Sequence, residues 1–276
     1  MASVPSVSKS VGLGVASLCL VQFTDVLGVT VVVTALPRML SDLHASPDAG
    51  SLIATGYAMF FSGLLMLGAR LGDRYGHRRV ILAGLFTFAV GAAIGASATT
   101  VAMLTAARCL QGAAAAGSVP SALRLLTTIT AEGRQRRRAV AGWSAAGAAA
   151  GASGFVIGGV VTDLASWRLI FWGYLPVAVI LAGGIMRAIP RDRPAERPVA
   201  LPLASSLLFT ATVMGFVIAT TLLPEKSRAP AGAALLGVVL VLAGSFIVSI
   251  GQPRRRCCHG RCCASDRCAK TRPGPF

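Results

Sequence analysis

Long apolar stretches recur along the whole sequence, and only a bilayer can accommodate so many of them. A helix needs about twenty mostly apolar residues to cross the hydrocarbon core. Hydrophobic residues make up 54% of the 276-residue chain and charged residues only 13%, about half the share typical of soluble domains. Eight stretches are long enough, which predicts an all-α membrane protein with about eight spans: residues 11–36, 50–69, 80–98, 101–126, 139–162, 168–189, 201–223 and 231–251.

Basic residues are concentrated in alternate connections, which predicts the orientation of the chain. Four arginines follow each of the second, fourth and sixth stretches, whereas the opposite connections together hold only Arg38, Arg168, Lys226 and Arg228. Connections rich in lysine and arginine stay in the cytoplasm, so we expect both termini to be cytoplasmic. The formal net charge of +16 then reflects membrane topology, and nucleic acid is not an expected partner.

Two charged residues lie deep inside the predicted spans and are candidates for chemistry. Asp25 is the only carboxylate well inside a span, and burial in hydrocarbon favours the neutral form of a carboxyl group. It would suit a proton carrier, although a paired or hydrated polar residue near a helix end is an equally open interpretation. Arg108, which precedes Gln111 and Gly112, stays protonated and could hold a nearby carboxylate in its charged form.

Three segments resemble, in the correct order, motifs of the major facilitator superfamily. Asp73-Arg-Tyr-Gly-His-Arg-Arg79 resembles the D-R-x-G-x-R-R core of its cytoplasmic signature. Arg108-Cys-Leu-Gln-Gly112 resembles the R-x-x-Q-G motif of the fourth helix. Gly154-Phe-Val-Ile-Gly-Gly159 resembles the G-P-x-x-G-G antiporter motif of the fifth helix.

Further residues resemble one branch of that family, the drug:proton antiporters with fourteen transmembrane helices. Ala35-Leu-Pro37 closes the first stretch, and Trp167-Arg168 with Phe171 and Pro176 opens the sixth. The resemblance implies a proton-coupled efflux transporter that exports drugs or antibiotics by alternating access.

The buried charges and the resemblance together suggest roles for individual residues, Asp25 from its burial and the others from the motifs. The candidates are, for proton coupling and transport, Asp25, Arg108 and Gln111; for the cytoplasmic gate, Asp73, Arg74, Gly76, Arg78 and Arg79; and for the hinge motif of the fifth helix, Gly151, Gly154, Gly158 and Gly159. The glycine-rich fifth helix is either a tightly packed face or a face on which helices slide during transport.

The sequence departs from the family pattern at several of these positions. Phe155 stands in place of the antiporter proline, Ala69 in place of the first glycine of the cytoplasmic motif, and His77 in place of an arginine. Gly28 aligns with the common acid of the first helix. Asp25 lies three residues earlier on the same helix face and is the candidate to replace that acid.

Members of the fourteen-helix branch have six helices, two central ones and six more, so we expect this chain to represent the N-terminal half. The predicted organisation is a cytoplasmic N-terminus (1–10), a six-helix N-terminal bundle (11–189), a cytoplasmic linker (190–200), two additional transmembrane helices (201–251) and a disordered, basic, cysteine-rich tail (252–276). The five cysteines of the tail fit zinc-site spacings poorly and lie where lipidation is conceivable. We favour a third interpretation, translation in a shifted reading frame.

Other function classes have no sequence support. The sequence contains no P-loop, no nucleophile triad and no dense cluster of metal ligands, so neither an enzyme nor an ATP-driven pump is expected, and no cofactor or metal. The expected partners are the lipid bilayer, a small hydrophobic or cationic substrate, protons and a second half-transporter chain, in a bacterial plasma membrane. The alternative is a non-transporting fragment, or a half-unit that needs a partner chain.

Overall fold

The structure, a computed structural model, describes residues 9–190, 203–222 and 229–251, and these residues form eight helices without a strand. The predicted tail and nearly all of the predicted linker lie outside the described residues. The all-α prediction is confirmed for the described part. The helices are α1 (Lys9–Asp42), α2 (Pro47–Tyr75), α3 (His77–Ala96), α4 (Val101–Ile129), α5 (Arg134–Leu164), α6 (Arg168–Ala188), α7 (Leu203–Leu222) and α8 (Ala229–Gly251).

Local sequence signals explain several helix ends. Pro47 occupies the first turn of α2, where its missing N–H costs nothing. The Thr100 hydroxyl accepts a hydrogen bond of 3.2 Å from the Met103 N–H and caps the start of α4. Gly76, with a φ of 95°, separates α2 from α3, a backbone conformation that glycine adopts without steric cost.

Five helices in the described part are long and apolar enough to cross a membrane: those over Val11–Asp42, Ala49–Tyr75, His77–Ala96, Arg134–Leu164 and Arg168–Ala188. α4 is long enough, at 29 residues, but it carries Arg108 and Gln111. It packs against α2 and α3 and also contacts α1. A helix enclosed by other helices needs less apolar surface than one that faces lipid, which explains its lower hydropathy. α7 and α8 contribute the shorter apolar segments Ala211–Thr220 and Pro230–Gly244.

The bundle is organised around α4 and α1. α4 lies between α2 and α3, while α1 packs mainly along α5 and also contacts α4 and α6. α7 and α8 pair with each other, and α7 packs on α2. Glycines permit the closest approaches: a Cβ at Gly68 would clash with the Ala116 carbonyl of α4. Such small residues let helices associate by close van der Waals contact in lipid.

Two hydrophobic clusters fill the bundle at different depths. One lies toward the end where α1 terminates and includes Met39, Ile53 and Phe171. The other lies toward the opposite, arginine-rich end and includes Leu18 and Ile185. Along α1, Asp25 falls between the residues of the two clusters, so the buried acid lies near the middle of the bundle.

Candidate functional site

Arg108 is the most deeply buried charge of the described bundle, with 1% of its surface exposed. Its Nη1 donates a hydrogen bond of 2.9 Å to Gln111 Oε1, one turn further along α4. Its guanidinium carbon lies 4.6 Å from the centroid of the Tyr57 ring on α2. The charge is therefore held by an amide oxygen on one side and by the negative face of an aromatic ring on the other.

Gly112 explains how Tyr57 comes so close to the arginine. A Cβ at Gly112 would clash with the Tyr57 carbonyl, so the absence of a side chain lets α2 approach α4 at this point. The motif of Arg108, Gln111 and Gly112 is thus a local unit: one residue carries the charge, one accepts its hydrogen bond, and the third admits the tyrosine.

Asp25 is buried on α1, with 7% exposed, and its Oδ2 has no hydrogen-bond partner among the described residues. It forms no ion pair with Arg108 within 4.0 Å. Instead, Tyr57, whose ring faces Arg108, and Tyr174, which lies beside Gly28 one turn from Asp25, are in the neighbourhood of both charges. We call these five residues the polar cluster: Asp25, Tyr57, Arg108, Gln111 and Tyr174.

The two tyrosines of the polar cluster were not singled out from the sequence. Tyr174 lies on α6 and packs edge-on against Phe88 of α3, with ring centroids 5.3 Å apart. Its hydroxyl, like the Asp25 Oδ2, lacks a hydrogen-bond partner within the described residues. One available signal was its position between Phe171 and Pro176, inside the segment that resembles the sixth-helix motif. Tyr57 gave no such signal, since it lies in an ordinary apolar stretch.

The candidate gate residues divide between two contacts at the arginine-rich end. Asp73 Oδ1, in the last turn of α2, lies 3.4 Å from His77 Nε2 at the start of α3, and His77 Nδ1 lies 3.4 Å from the Ser121 hydroxyl of α4. Arg78 Nη2 donates a hydrogen bond of 2.9 Å to the Met186 carbonyl near the end of α6. The departure from arginine at position 77 therefore places an imidazole against the acid of the motif.

The remaining gate candidates are more peripheral. Arg74 lies over the neighbouring Tyr75 ring at 5.5 Å, Arg79 is exposed, and Gly76 forms the turn itself. Neither arginine side chain reaches the polar cluster, so the structure separates the predicted gate from the predicted coupling residues.

The four glycines of the fifth-helix motif differ in how closely other helices approach them. Gly154 and Gly158 pack against Thr30 and Thr34 of α1, so closely that a Cβ at either position would clash with the threonine hydroxyl. A Cβ at Gly151 or Gly159 would meet no atom of the described residues within 4 Å. Gly154 and Gly158 are therefore tightly packed against α1, whereas Gly151 and Gly159 leave open space.

A second polar contact, at the end opposite the arginine-rich end, joins α1, α6 and the α3–α4 turn. Trp167 Nε1 donates a hydrogen bond of 2.9 Å to Asp42 Oδ2, and Arg168 Nη1 lies 3.9 Å from the same oxygen. Arg168 Nη2 also donates to the Ala98 carbonyl at 3.0 Å. We call Asp42, Trp167 and Arg168 the clasp. The tryptophan and arginine were noted in the sequence, whereas their partner Asp42 was not.

No group of three or more histidine, cysteine or acidic side chains within the described ranges is arranged to hold a metal ion. The site therefore consists of permanent and titratable charges, hydroxyl groups and an amide in an otherwise apolar bundle. Such a set can bind and transfer protons or pair with polar groups of a ligand.

Comparisons with known proteins fit these features. The chain is 37% identical to the cephamycin export protein CmcT of Amycolatopsis lactamdurans over 83% of its own length and 48% of that protein. It is 32% identical to the puromycin resistance protein pur8 of Streptomyces alboniger over 88% of its length and 47% of that protein. The chain thus spans about half the length of these curated relatives.

The fold is shared with a solved transporter structure. The crystal structure of a bacterial homologue of the human lysosomal transporter Spinster, in an inward-facing and unoccupied conformation, matches with a TM-score of 0.56 and 17% identity. The match covers 90% of this chain and 59% of that one. Residues 18–254 match the family model of the Major Facilitator Superfamily, which is most of the chain. The protein is therefore a multi-pass membrane protein that belongs to the Major Facilitator Superfamily.

Proposed function

We propose that this chain forms the N-terminal transport bundle of a proton-coupled exporter of antibiotics or similar small molecules. The observation that carries the proposal is the polar cluster, in which a buried acid and a buried permanent cation share two tyrosines. The cephamycin export protein supports export as the direction, and together with the puromycin resistance protein it supports antibiotics as the substrate class.

In the proposed cycle, Asp25 carries the proton. Arg108 cannot take this role, because a guanidinium does not release its proton under physiological conditions. Arg108 instead stabilises the anionic form of Asp25 electrostatically once the proton has left. Gln111 and Tyr57 keep the guanidinium in place while the carboxyl group changes charge.

Alternating access couples the transfer of the proton to the export of substrate. In this proposal the bundle moves as a unit against a second bundle, which α5 meets near the open positions Gly151 and Gly159. The contact of Asp73 with His77 belongs to the cytoplasmic gate. The N-terminus is cytoplasmic and the membrane is the bacterial plasma membrane, in line with the arginines of the connections.

Efflux from a bacterial strain that lacks its main drug pumps tests this function. Cells that express the chain fused to the second half of CmcT, which supplies the second bundle, are loaded with puromycin or ethidium, and export is followed with and without a protonophore. We expect protonophore-sensitive export that falls at least tenfold in Asp25→Asn. Asp163→Asn, the same change at an exposed carboxylate of α5, serves as the matched control. Equal export by both variants would reject Asp25 as the proton carrier.

A second candidate is a half-unit that transports only with a partner chain. It is favoured by the open positions of the fifth-helix motif, since a Cβ at Gly151 or Gly159 would have no described atom within 4 Å, and by the match to about half of each relative. Co-expression with the second half of a relative such as CmcT separates the candidates. Export that requires the second polypeptide supports the half-unit, whereas equal export without it rejects the half-unit.

A further inference from the structure

His77 occupies a slot at the arginine-rich end of the bundle, where α2, α3 and α4 meet. A Cβ at Gly72 of α2 would clash with the imidazole ring and would lie 2.8 Å from the Ser121 hydroxyl oxygen of α4. Gly72 and Ser121 are buried, and the His77 side chain is 18% exposed. The glycine therefore leaves room for the ring, and packing against two other helices fixes the position of the ring.

Both ring nitrogens of His77 lie near polar groups of the neighbouring helices. Nε2 lies 3.4 Å from Asp73 Oδ1 of α2, and Nδ1 lies 3.4 Å from the Ser121 hydroxyl oxygen of α4. A carboxylate only accepts hydrogen bonds, whereas a hydroxyl group donates or accepts. A neutral ring with its proton on Nε2 therefore suits both neighbours. A protonated ring donates to both and adds the attraction of an ion pair to Asp73. We call Gly72, Asp73, His77 and Ser121 the histidine junction.

Charges of both signs surround the histidine junction within the described helices. The cations near it along these helices are Arg70 and Arg74 on α2, Arg78 and Arg79 on α3, Arg124 on α4 and Arg187 on α6. They oppose a further positive charge, although four of the six are exposed and are screened by water and salt. Asp73, within ion-pair distance of the ring, favours the charge. The protonated ring therefore gains its attraction from Asp73.

We infer that the histidine junction is a pH-dependent contact, in which a proton on His77 holds α2 and α3 together more tightly than the neutral ring does. An imidazole changes its charge at about pH 6.5, within the physiological range. An arginine, which the family pattern has at this position, keeps its charge throughout that range. The histidine therefore replaces a permanent ion pair with one that responds to pH.

The consequence for transport rests on the proposed function, in which the arginine-rich end is cytoplasmic and Asp73 belongs to the gate. A proton-coupled exporter releases the protons that it imports into the cytoplasm. When the cytoplasm becomes acidic, His77 is charged and the turn between α2 and α3 is held more firmly. The rate at which the gate opens then depends on cytoplasmic pH.

Hydrogen exchange of the purified full chain in detergent tests the inference. The Gly76 N–H donates to the Gly72 carbonyl at 2.9 Å, and the Val80 N–H donates to the Gly76 carbonyl at 3.1 Å, so these two amides report opening of the junction. The exchange rate of His77→Gln is divided by that of the unchanged chain at the same pH, which cancels the intrinsic pH dependence of exchange. We expect this ratio to be about threefold larger at about pH 5.5 than at about pH 8, because a partly exposed ion pair changes an opening equilibrium by up to about fivefold. An equal ratio at both pH values overturns the inference.

Two further variants separate the ion pair from packing of the ring. Asp73→Asn keeps an oxygen acceptor but removes the charge, and should give the same pH-dependent ratio as His77→Gln. A ratio for Asp73→Asn that does not change with pH rejects Asp73 as the partner of the charged ring. His44→Asn is the matched control, since His44 is exposed at the opposite end of the bundle and asparagine tolerates its φ of 48°. It should leave exchange of both amides unchanged.

The exchange measurement needs no transport, so the two proposals fail separately. An equal ratio at both pH values in a protein that exports rejects the pH-dependent contact alone. A pH-dependent ratio in a protein that does not export rejects the proposed function alone.

Discussion

Arg108 shows, at the scale of single residues, how the bundle retains a permanent charge in an apolar environment. Placing an arginine at the centre of a membrane helix costs about 2.5–3.5 kcal/mol. A cation–π contact in a desolvated position contributes about 2 kcal/mol, and a hydrogen bond from a charged donor about 1.5–3 kcal/mol. The Tyr57 ring and the Gln111 oxygen can therefore offset most of the penalty, provided that both contacts keep their geometry.

Gly112→Ala should disturb that geometry. The new methyl group would push the Tyr57 backbone away from α4, and we expect a loss of about 1–3 kcal/mol in the free energy of unfolding, as for other overpacked contacts. Gly142→Ala, on α5 with no described atom within 4 Å of the added methyl group, is the control and should be neutral or stabilising by about 1 kcal/mol. Denaturant unfolding in detergent measures both; equal midpoints would contradict the proposed steric role of Gly112.

The polar cluster could be predicted from the sequence where a charge interrupts an apolar stretch, and at Gln111, which the fourth-helix motif indicated. Asp25 and Arg108 stand out because ionisable groups inside spans are rare. Tyr57 and Tyr174 do not stand out, since a tyrosine in an apolar stretch usually signals packing or an interface. Their relation to the two charges depends on how α2 and α6 pack around α1 and α4, which no local pattern contains.

At the scale of helices, the predicted spans and the observed elements agree in number and order but differ at their ends. Hydropathy predicted an end at residue 69 for the second span and a start at residue 139 for the fifth. The helices run on to Tyr75 and begin at Arg134. The added turns carry arginines that suit the headgroup region, so hydropathy marks the hydrocarbon portion and not the whole helix. α1 likewise continues through Pro37 to Asp42, where the clasp holds it.

The clasp predicts an order of effects for two conservative substitutions. Trp167→Phe keeps an aromatic ring but removes the Nε1 donor, and should cost about 1.5–3 kcal/mol, because it breaks a hydrogen bond to a charged acceptor. Asp42→Asn keeps an oxygen acceptor and mainly removes the 3.9 Å ion pair with the partly exposed Arg168, which is worth about 0–1 kcal/mol.

The free energies of unfolding of both clasp variants, measured in the same detergent, check this order. Leu169→Ala, at an exposed position in the first turn of α6, controls for substitutions near the start of that helix. A larger loss of unfolding free energy in Asp42→Asn than in Trp167→Phe would show that the ion pair, and not the indole hydrogen bond, holds α1 to α6.

At the scale of the whole molecule, the arginines of the described connections after α2 and α4 lie at the same end of the bundle as Arg187 of α6, which predicts how the chain sits in the membrane. Arg137 and Asp163 are exposed near opposite ends of α5, a helix of 31 residues and therefore about 46 Å long. One helix thus offers a reporter position for each side of the membrane.

Single cysteines at these two positions test the orientation, in a chain whose seven native cysteines are replaced by alanine. Asp163→Cys should react with a membrane-impermeant maleimide in intact cells, whereas Arg137→Cys should react only after permeabilisation. The reverse pattern would place the N-terminus outside. Reaction of both in intact cells would mean that α5 does not cross the membrane.

The modest hydropathy of α4 has a consequence for biogenesis. A translocon releases a segment sideways into lipid according to the apolarity of that segment, and the contribution of Arg108 opposes this release. α2 and α3, the helices that enclose α4, are both synthesised before it. The two helices against which α4 packs are therefore already present when α4 is inserted. We expect insertion of α4 to fail when α2 and α3 are deleted or exchanged for unrelated spans.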